Sequence, residues 1–248
     1  MLQLIFLLAL ACHCRGEDPP VPDITKTLKS VQDPNSISSG DYDVVVFLND
    51  DIFNLENEFK ILGEALVQYN GLDSTTPNKM QVIPFLVHPN KRMIFAPTGK
   101  LNTDISDSRQ IYSTAMEAAK LAYSLNLRKP LFVLGPLESA KSMNYTWMQG
   151  DYRYLLMTLG ALQGYYTPLI KRQLNIEPLT KYDTMGVYGA DSDLLDIAGK
   201  IEMARILHRD TCASDPERMA APSIEEYYRR EFNEGMAAML GSKQSRSG

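Results

Sequence analysis

The run Val44-Val45-Val46-Phe47-Leu48 is apolar without alternation, which fits a strand buried on both faces, as in a parallel sheet covered by helices. Asn49-Asp50-Asp51 closes it. Over residues 55–69 the period becomes helical, with Leu55, Phe59, Leu62, Leu66 and Tyr69 on one face and Asn70-Gly71 as the stop. Two short strands are expected at 80–87 and 92–96, joined by the turn-rich His88-Pro89-Asn90-Lys91. Pro84 restricts the first of them to a sheet edge or a bulge, because proline donates no ladder hydrogen bond. Residues 106–126 predict a helix with Ile111, Ala115, Ala118, Ala122 and Leu125 on one face; a strand at 131–134, a helix at 152–162 and a strand at 185–188 follow. From Asp191 a long helix carries Leu194, Ile197, Ala198, Ile201, Ala204 and His208 at helical spacing, which predicts one apolar stripe docked on the sheet. Asp215-Pro216 breaks it, and Ser223 with Glu226 forms a capping box that predicts another helix starting at Ser223. The alternation specifies an α/β fold: a mixed, mostly parallel sheet with helices on both faces, followed by a C-terminal linker helix.

Outside this pattern the chain reads as flanking segments. Leu2 to Ala11 is an apolar run of signal-peptide length, about half of what a membrane span needs, although no Lys or Arg precedes it. Ala9-Leu10-Ala11 fits a small-x-small cleavage site before Cys12, and a cut after Gly16 is the alternative. The expected organisation is therefore a signal peptide at 1–16, a Pro-rich linker at 17–40, an α/β domain at 41–209, an interdomain linker and helix at 210–240 and a disordered tail at 241–248. Asn144-Tyr145-Thr146 is a glycosylation sequon in an expected loop, so together with the apolar N-terminus it points to the secretory pathway.

Composition narrows the chemistry. The 248 residues carry a net charge of −5 with no Lys/Arg run, which argues against a nucleic-acid surface. Three cysteines, Cys12, Cys14 and Cys212, are too few for a disulfide framework or a zinc cluster, and Cys212 reads as a free or buried thiol. There is no G-x-S-x-G, H-E-x-x-H, G-x-G-x-x-G or paired C-x-x-C. Thr98-Gly99-Lys100 resembles the end of a phosphate loop but lacks the upstream glycine, and a tight turn needing only Gly99 is the simpler reading. His13, His88 and His208 are too scattered for a metal triad, and His208 suits the C-terminal end of a helix dipole. Asp50 and Asp51 read as a solvated loop pair, and the aromatics at 145–154 as packing. No residue is singled out as catalytic, cofactor-binding or metal-binding.

Several segments together resemble the leucine (cytosol) aminopeptidase family, in a divergent animal branch. They are Arg92-Met93-Ile94-Phe95-Ala96-Pro97-Thr98-Gly99 with Asp107-Ser108-Arg109, Met185-Gly186-Val187-Tyr188-Gly189-Ala190-Asp191, and Ala204-Arg205-Ile206-Leu207 with Asp215-Pro216-Glu217-Arg218-Met219-Ala220-Ala221-Pro222. The Asp-Pro-Glu-Arg-Met-Ala-x-Pro joint is the most specific of these. The resemblance spans about residues 41–234 and implies an N-terminal α/β domain of macro-domain-like shape, with a helix leading to a catalytic domain. It also implies an enzyme that removes N-terminal residues from peptides with two divalent metals, zinc or manganese, held by a lysine, aspartates and a glutamate of that second domain. Asn102-Thr103-Asp104 echoes the family's metal segment, but Ile105-Ser106-Asp107-Ser108 replaces its glutamate and glycine-arginine pair. This polypeptide is thus expected to be inactive alone, binding no metal, with a second copy or an aminopeptidase subunit as partner and no nucleic acid or membrane span. The alternative is a stand-alone, non-catalytic binding module. The family itself implies the cytoplasm, against the secretory signals.

Overall fold

The computed structural model describes residues 19–103, 106–140, 150–212 and 220–244, with side chains through residue 232 in the last stretch. Six strands lie in one sheet in the order β1-β6-β5-β2-β4-β3: β1 Leu28–Val31, β2 Val44–Asn49, β3 Gln81–Pro84, β4 Arg92–Pro97, β5 Pro130–Leu134 and β6 Met185–Tyr188. The unbroken apolar run forms β2, which pairs in parallel with β4 on one side and β5 on the other. Only β3 runs antiparallel, and Pro84 ends it on the sheet edge where a missing N–H costs least.

Successive residues of β2 point to opposite faces, and each face has its own helical cover. Val45 and Phe47 share a core with Met93, Phe95, Leu131 and Val133, under Leu62 and Leu66 of α1, Lys60–Asn70. On the other face α2, Arg109–Ser124, packs on β2 and β4 through a row that includes Ile111, Ala115 and Ala118. Along α2 lies α3, Tyr152–Gly164. A Cβ added at Gly160 would stand 2.2 Å from the Tyr112 carbonyl oxygen, and one at Gly164 2.4 Å from that of Met116. Two glycines one turn apart therefore set how closely the two helices approach.

Several elements differ from the sequence expectation. Strand β1 lies within the stretch read as a linker and pairs in parallel with β6. Only Leu28 and Val31 are buried there, with exposed Lys29 and Ser30 between them, so no two-residue alternation marks the strand. Helix α1 starts after a 3-10 turn at Asn57–Phe59, and Leu55 and Phe59 join the core from before it. A five-residue helix, α4 Leu169–Gln173, is too short to show a period. In α5, Ser192–Cys212, the buried residues are Leu195, Ala198, Gly199, Glu202, Ile206 and Asp210, whereas Ile197 (53%) and Ile201 (37%) are exposed and so is His208. Two buried acids and Gly199, where an added Cβ would stand 2.9 Å from the Thr25 side chain, belong to the buried face, so counting apolar residues alone misplaces it by about one position, roughly 100°. Helix α6, Ala221–Gln244, starts two residues before Ser223: the Ala220 carbonyl accepts the Ser223 amide at 2.9 Å and that of Ile224 at 3.0 Å, so the Ser223 amide is not left for Glu226. Asp215-Pro216 lies outside the described residues, as do 1–18 and Asn144-Tyr145-Thr146.

The chain divides into two compact units. The larger, Asp23–Tyr166 with Thr180–Ala204, contains the whole sheet. The smaller takes Thr167–Leu179, the chain from Arg205 onward and residues 19–22. No helix among the described residues is long and apolar enough to cross a membrane.

Candidate functional site

In open α/β sheets, ligands sit outside the carboxyl ends of the strands where the strand order reverses. Here that place is the end of β2, between β4 and β5. It is filled by the protein's own polar groups. Asn49, fully buried, accepts the Leu137 N–H on Oδ1 at 3.3 Å and donates from Nδ2 to the Asp51 carbonyl at 2.6 Å. The Asp50 carboxylate accepts the Glu138 N–H at 3.0 Å, the Ser139 N–H at 2.6 Å and the Ser139 hydroxyl. Ser139 Oγ in turn accepts the Leu101 N–H at 2.9 Å. Gly135 leaves room for this arrangement, since a Cβ there would lie 2.4 Å from Asn49 Oδ1. Asp50 is thus a backbone acceptor that ties the loop after β5 to the end of β2, which corrects its reading as a solvated loop residue. Asp51 fits that reading better, its carboxylate accepting the Phe53 N–H at 3.0 Å in an exposed turn.

The other sequence candidates are dispersed. Gly99 adopts φ +71° and a Cβ added there would meet no atom within 4 Å, so the demand is on backbone conformation, as a tight turn requires. Thr103 shares a hydrogen bond with the Ser106 hydroxyl, while Asp104 lies outside the described residues. His88 is buried in the β3–β4 turn, and burial above all holds its imidazole below the usual value of 6.5. His208 lies in the last turn of α5 against Cys212, with Sγ 3.7 Å from Nε2, and Cys212 is a free, exposed thiol. Cys12, His13 and Cys14, and residues 145–149 of the aromatic stretch, lie outside the described residues. Among the described residues no three His, Cys, Asp or Glu side chains converge as metal donors. An apolar groove of about 230 Å³ runs between α1 and the β3–β4 turn, lined by Ile61, Ala65, Tyr69, Leu72, Phe85 and Val87 among others.

Within the smaller unit lies a charged cluster that sequence reasoning missed. The Arg172 guanidinium of α4 pairs with Asp210 near the end of α5, and their side chains are 2% and 0% exposed. Arg172 also donates to the carbonyls of Thr167 at 3.1 Å and Pro20 at 3.3 Å, so the buried charge is hydrogen-bonded on several sides, as burial demands. Tyr227 of α6 donates to Asp210 at 3.1 Å, and burial, then the Asp210 charge, pushes its phenol far above the ordinary value. Tyr227 is therefore covered, whereas Phe232 is 53% exposed and stacks on Tyr228. The available signal was Asp210 standing four positions after Ile206 on the buried stripe of α5.

No family model matches the chain. A Caenorhabditis elegans protein provisionally named aminopeptidase W07G4.4 is 25% identical over 209 residues, covering 81% of this chain and 38% of that protein. A mutant of tomato leucine aminopeptidase superimposes on 82% of this chain with 40% of its own, at 14% identity and a TM-score of 0.58, a likeness of fold. A Trypanosoma brucei macrodomain in complex with ADP-ribose covers 73% of each chain at 13% identity with a TM-score of 0.46. The chain spans about two fifths of the length of the two aminopeptidase relatives.

Proposed function

We propose, from the premise that this chain carries an N-terminal α/β domain of the leucine aminopeptidase type, that it is the non-catalytic front region of a peptide-trimming metallo-exopeptidase. The observation that carries this reading is the 209-residue match to a protein named as an aminopeptidase. Dinuclear metal hydrolysis needs several anionic donors with free lone pairs around two cations. Both oxygens of Asp50 are already taken by the Glu138 and Ser139 donors, and the described residues bring no set of three metal-donor side chains together. These residues do not fit the metal pair that the family uses, so no catalytic step is assigned to them.

The test is an assay of the purified polypeptide of residues 1–248 on a leucyl chromogenic amide, with manganese or zinc added. No turnover above a mock preparation is expected. Metal-dependent turnover that follows this chain through successive columns and disappears in a point variant of it would overturn the reading. A second reading, an assembly module that docks on an aminopeptidase subunit or a second copy, is favoured by the smaller unit's exposed Ile170, Leu174, Ile176 and Phe232.

A further inference from the structure

The β3–β4 turn is built around a lone pair on a histidine. Its backbone closes through Phe85 N–H to the Lys91 carbonyl (3.0 Å), His88 N–H to the Phe85 carbonyl (3.1 Å) and Lys91 N–H to the His88 carbonyl (2.8 Å). Inside that frame His88 is 1% exposed, its ring stacks on Phe85, and its Nδ1 accepts the Asn90 N–H at 3.2 Å. A nitrogen that accepts carries no proton, so the turn selects the neutral imidazole with its hydrogen on Nε2. Asn90 then donates from Nδ2 to the Asp43 carbonyl at 2.8 Å, which ties the turn to the chain entering β2.

The groups facing this ring come from both neighbouring elements. Before β2, the Asp43 carboxylate favours the imidazolium, as does the Tyr42 carbonyl, although Nε2 makes no hydrogen bond. That carboxylate is occupied by the Arg128 and Lys129 amides, each at 3.0 Å. From β4, Arg92 opposes the imidazolium, and burial opposes it most.

We propose that His88 is a proton-operated latch: protonation of Nδ1 turns an acceptor into a donor facing the Asn90 N–H, expels the ring and releases residues 85–91. Phe85 and Val87, which line the apolar groove against α1, move with the turn. Because the closed turn disfavours the imidazolium, the opened turn binds the proton more readily. The closed state is therefore fully stable above the ordinary histidine value of 6.5 and loses stability as pH falls through that value towards the lowered one of the closed turn.

Hydrogen exchange of the full chain at about pH 7.5 and about pH 5.5, corrected for intrinsic rates, tests this. Protection of residues 85–91 should fall by up to about tenfold on acidification, the limit for one pH unit below the ordinary histidine value, while β2 stays protected. His88→Asn supplies a neutral side-chain acceptor for the same amide two residues on, and should keep the turn protected at both pH values. Unchanged protection in the parent, or the same acid loss in H88N, would overturn the latch. The parent's own His88 ring titration by NMR provides a check independent of that variant: a midpoint at or above the free-histidine value contradicts the proposal, and a lower one supports it.

Discussion

Asp50 shows how one side chain can look solvated in sequence and be structural in place. Its carboxylate accepts from two backbone amides and a hydroxyl after β5, so replacing it removes acceptors from donors that lie partly buried. Asp50→Ala should lower unfolding stability by about 1–3 kcal/mol, the range for stranding a buried donor, and Asp50→Asn by less because one acceptor oxygen survives. Urea midpoints at unchanged slope measure both; an Asp50→Ala midpoint equal to the parent would mean that water replaces the carboxylate without loss. The adjacent pair Asp50-Asp51 was visible in sequence as two acids after a buried strand. That only the first would be consumed was not visible, because its donors lie 88 and 89 residues further along the chain.

At the scale of elements, the contact between α2 and α3 is set by absent side chains. Gly160 and Gly164 place α3 where a Cβ would overlap the Tyr112 and Met116 carbonyl oxygens, and a carbonyl inside a helix cannot swing aside as a flexible side chain can. Gly160→Ala should therefore cost about 1–3 kcal/mol through overpacking, despite the better helix propensity of alanine. Gly40→Ala is the control, since its new Cβ would meet only Pro89 Cγ at an ordinary 3.5 Å, and it should stay within about 0.5 kcal/mol. Equal thermal midpoints for the two variants would show that the helices separate freely. Elements with strong internal patterns, the unbroken apolar run of β2 and the helical period of α2, were legible from sequence. Strand β1 was not, because an edge strand with two buried residues is defined by its pairing with β6.

For the whole molecule, the smaller unit exposes Ile170 (48%), Leu174 (53%), Ile176 (65%) and Phe232 (53%). Single exposed apolar residues are ordinary on monomers, whereas several on one small unit favour association. The chain is expected to self-associate at tens of micromolar, and Ile170→Lys with Leu174→Lys should shift it towards monomer by light scattering. A parent that is monomeric under those conditions would remove the support for the assembly reading and leave the aminopeptidase-region reading in place.

What the sequence by itself determined is the type of most elements and the class of the fold. The continuous Val44 to Leu48 run, the Met185–Tyr188 strand and the alanine-rich face of α2 are local patterns, and local periodicity decides whether a segment can bury one face or two. Only the tertiary structure decided which polar groups are spent. Arg172 and Asp210 are 38 residues apart, and nothing local pairs them; each is tolerable inside only because the other, with Tyr227 and two carbonyls, is brought against it. The same holds for the face of α5 and for Asn49 and Asp50. Burial of a polar side chain depends on partners supplied from elsewhere in the chain, and no window of neighbouring residues contains them.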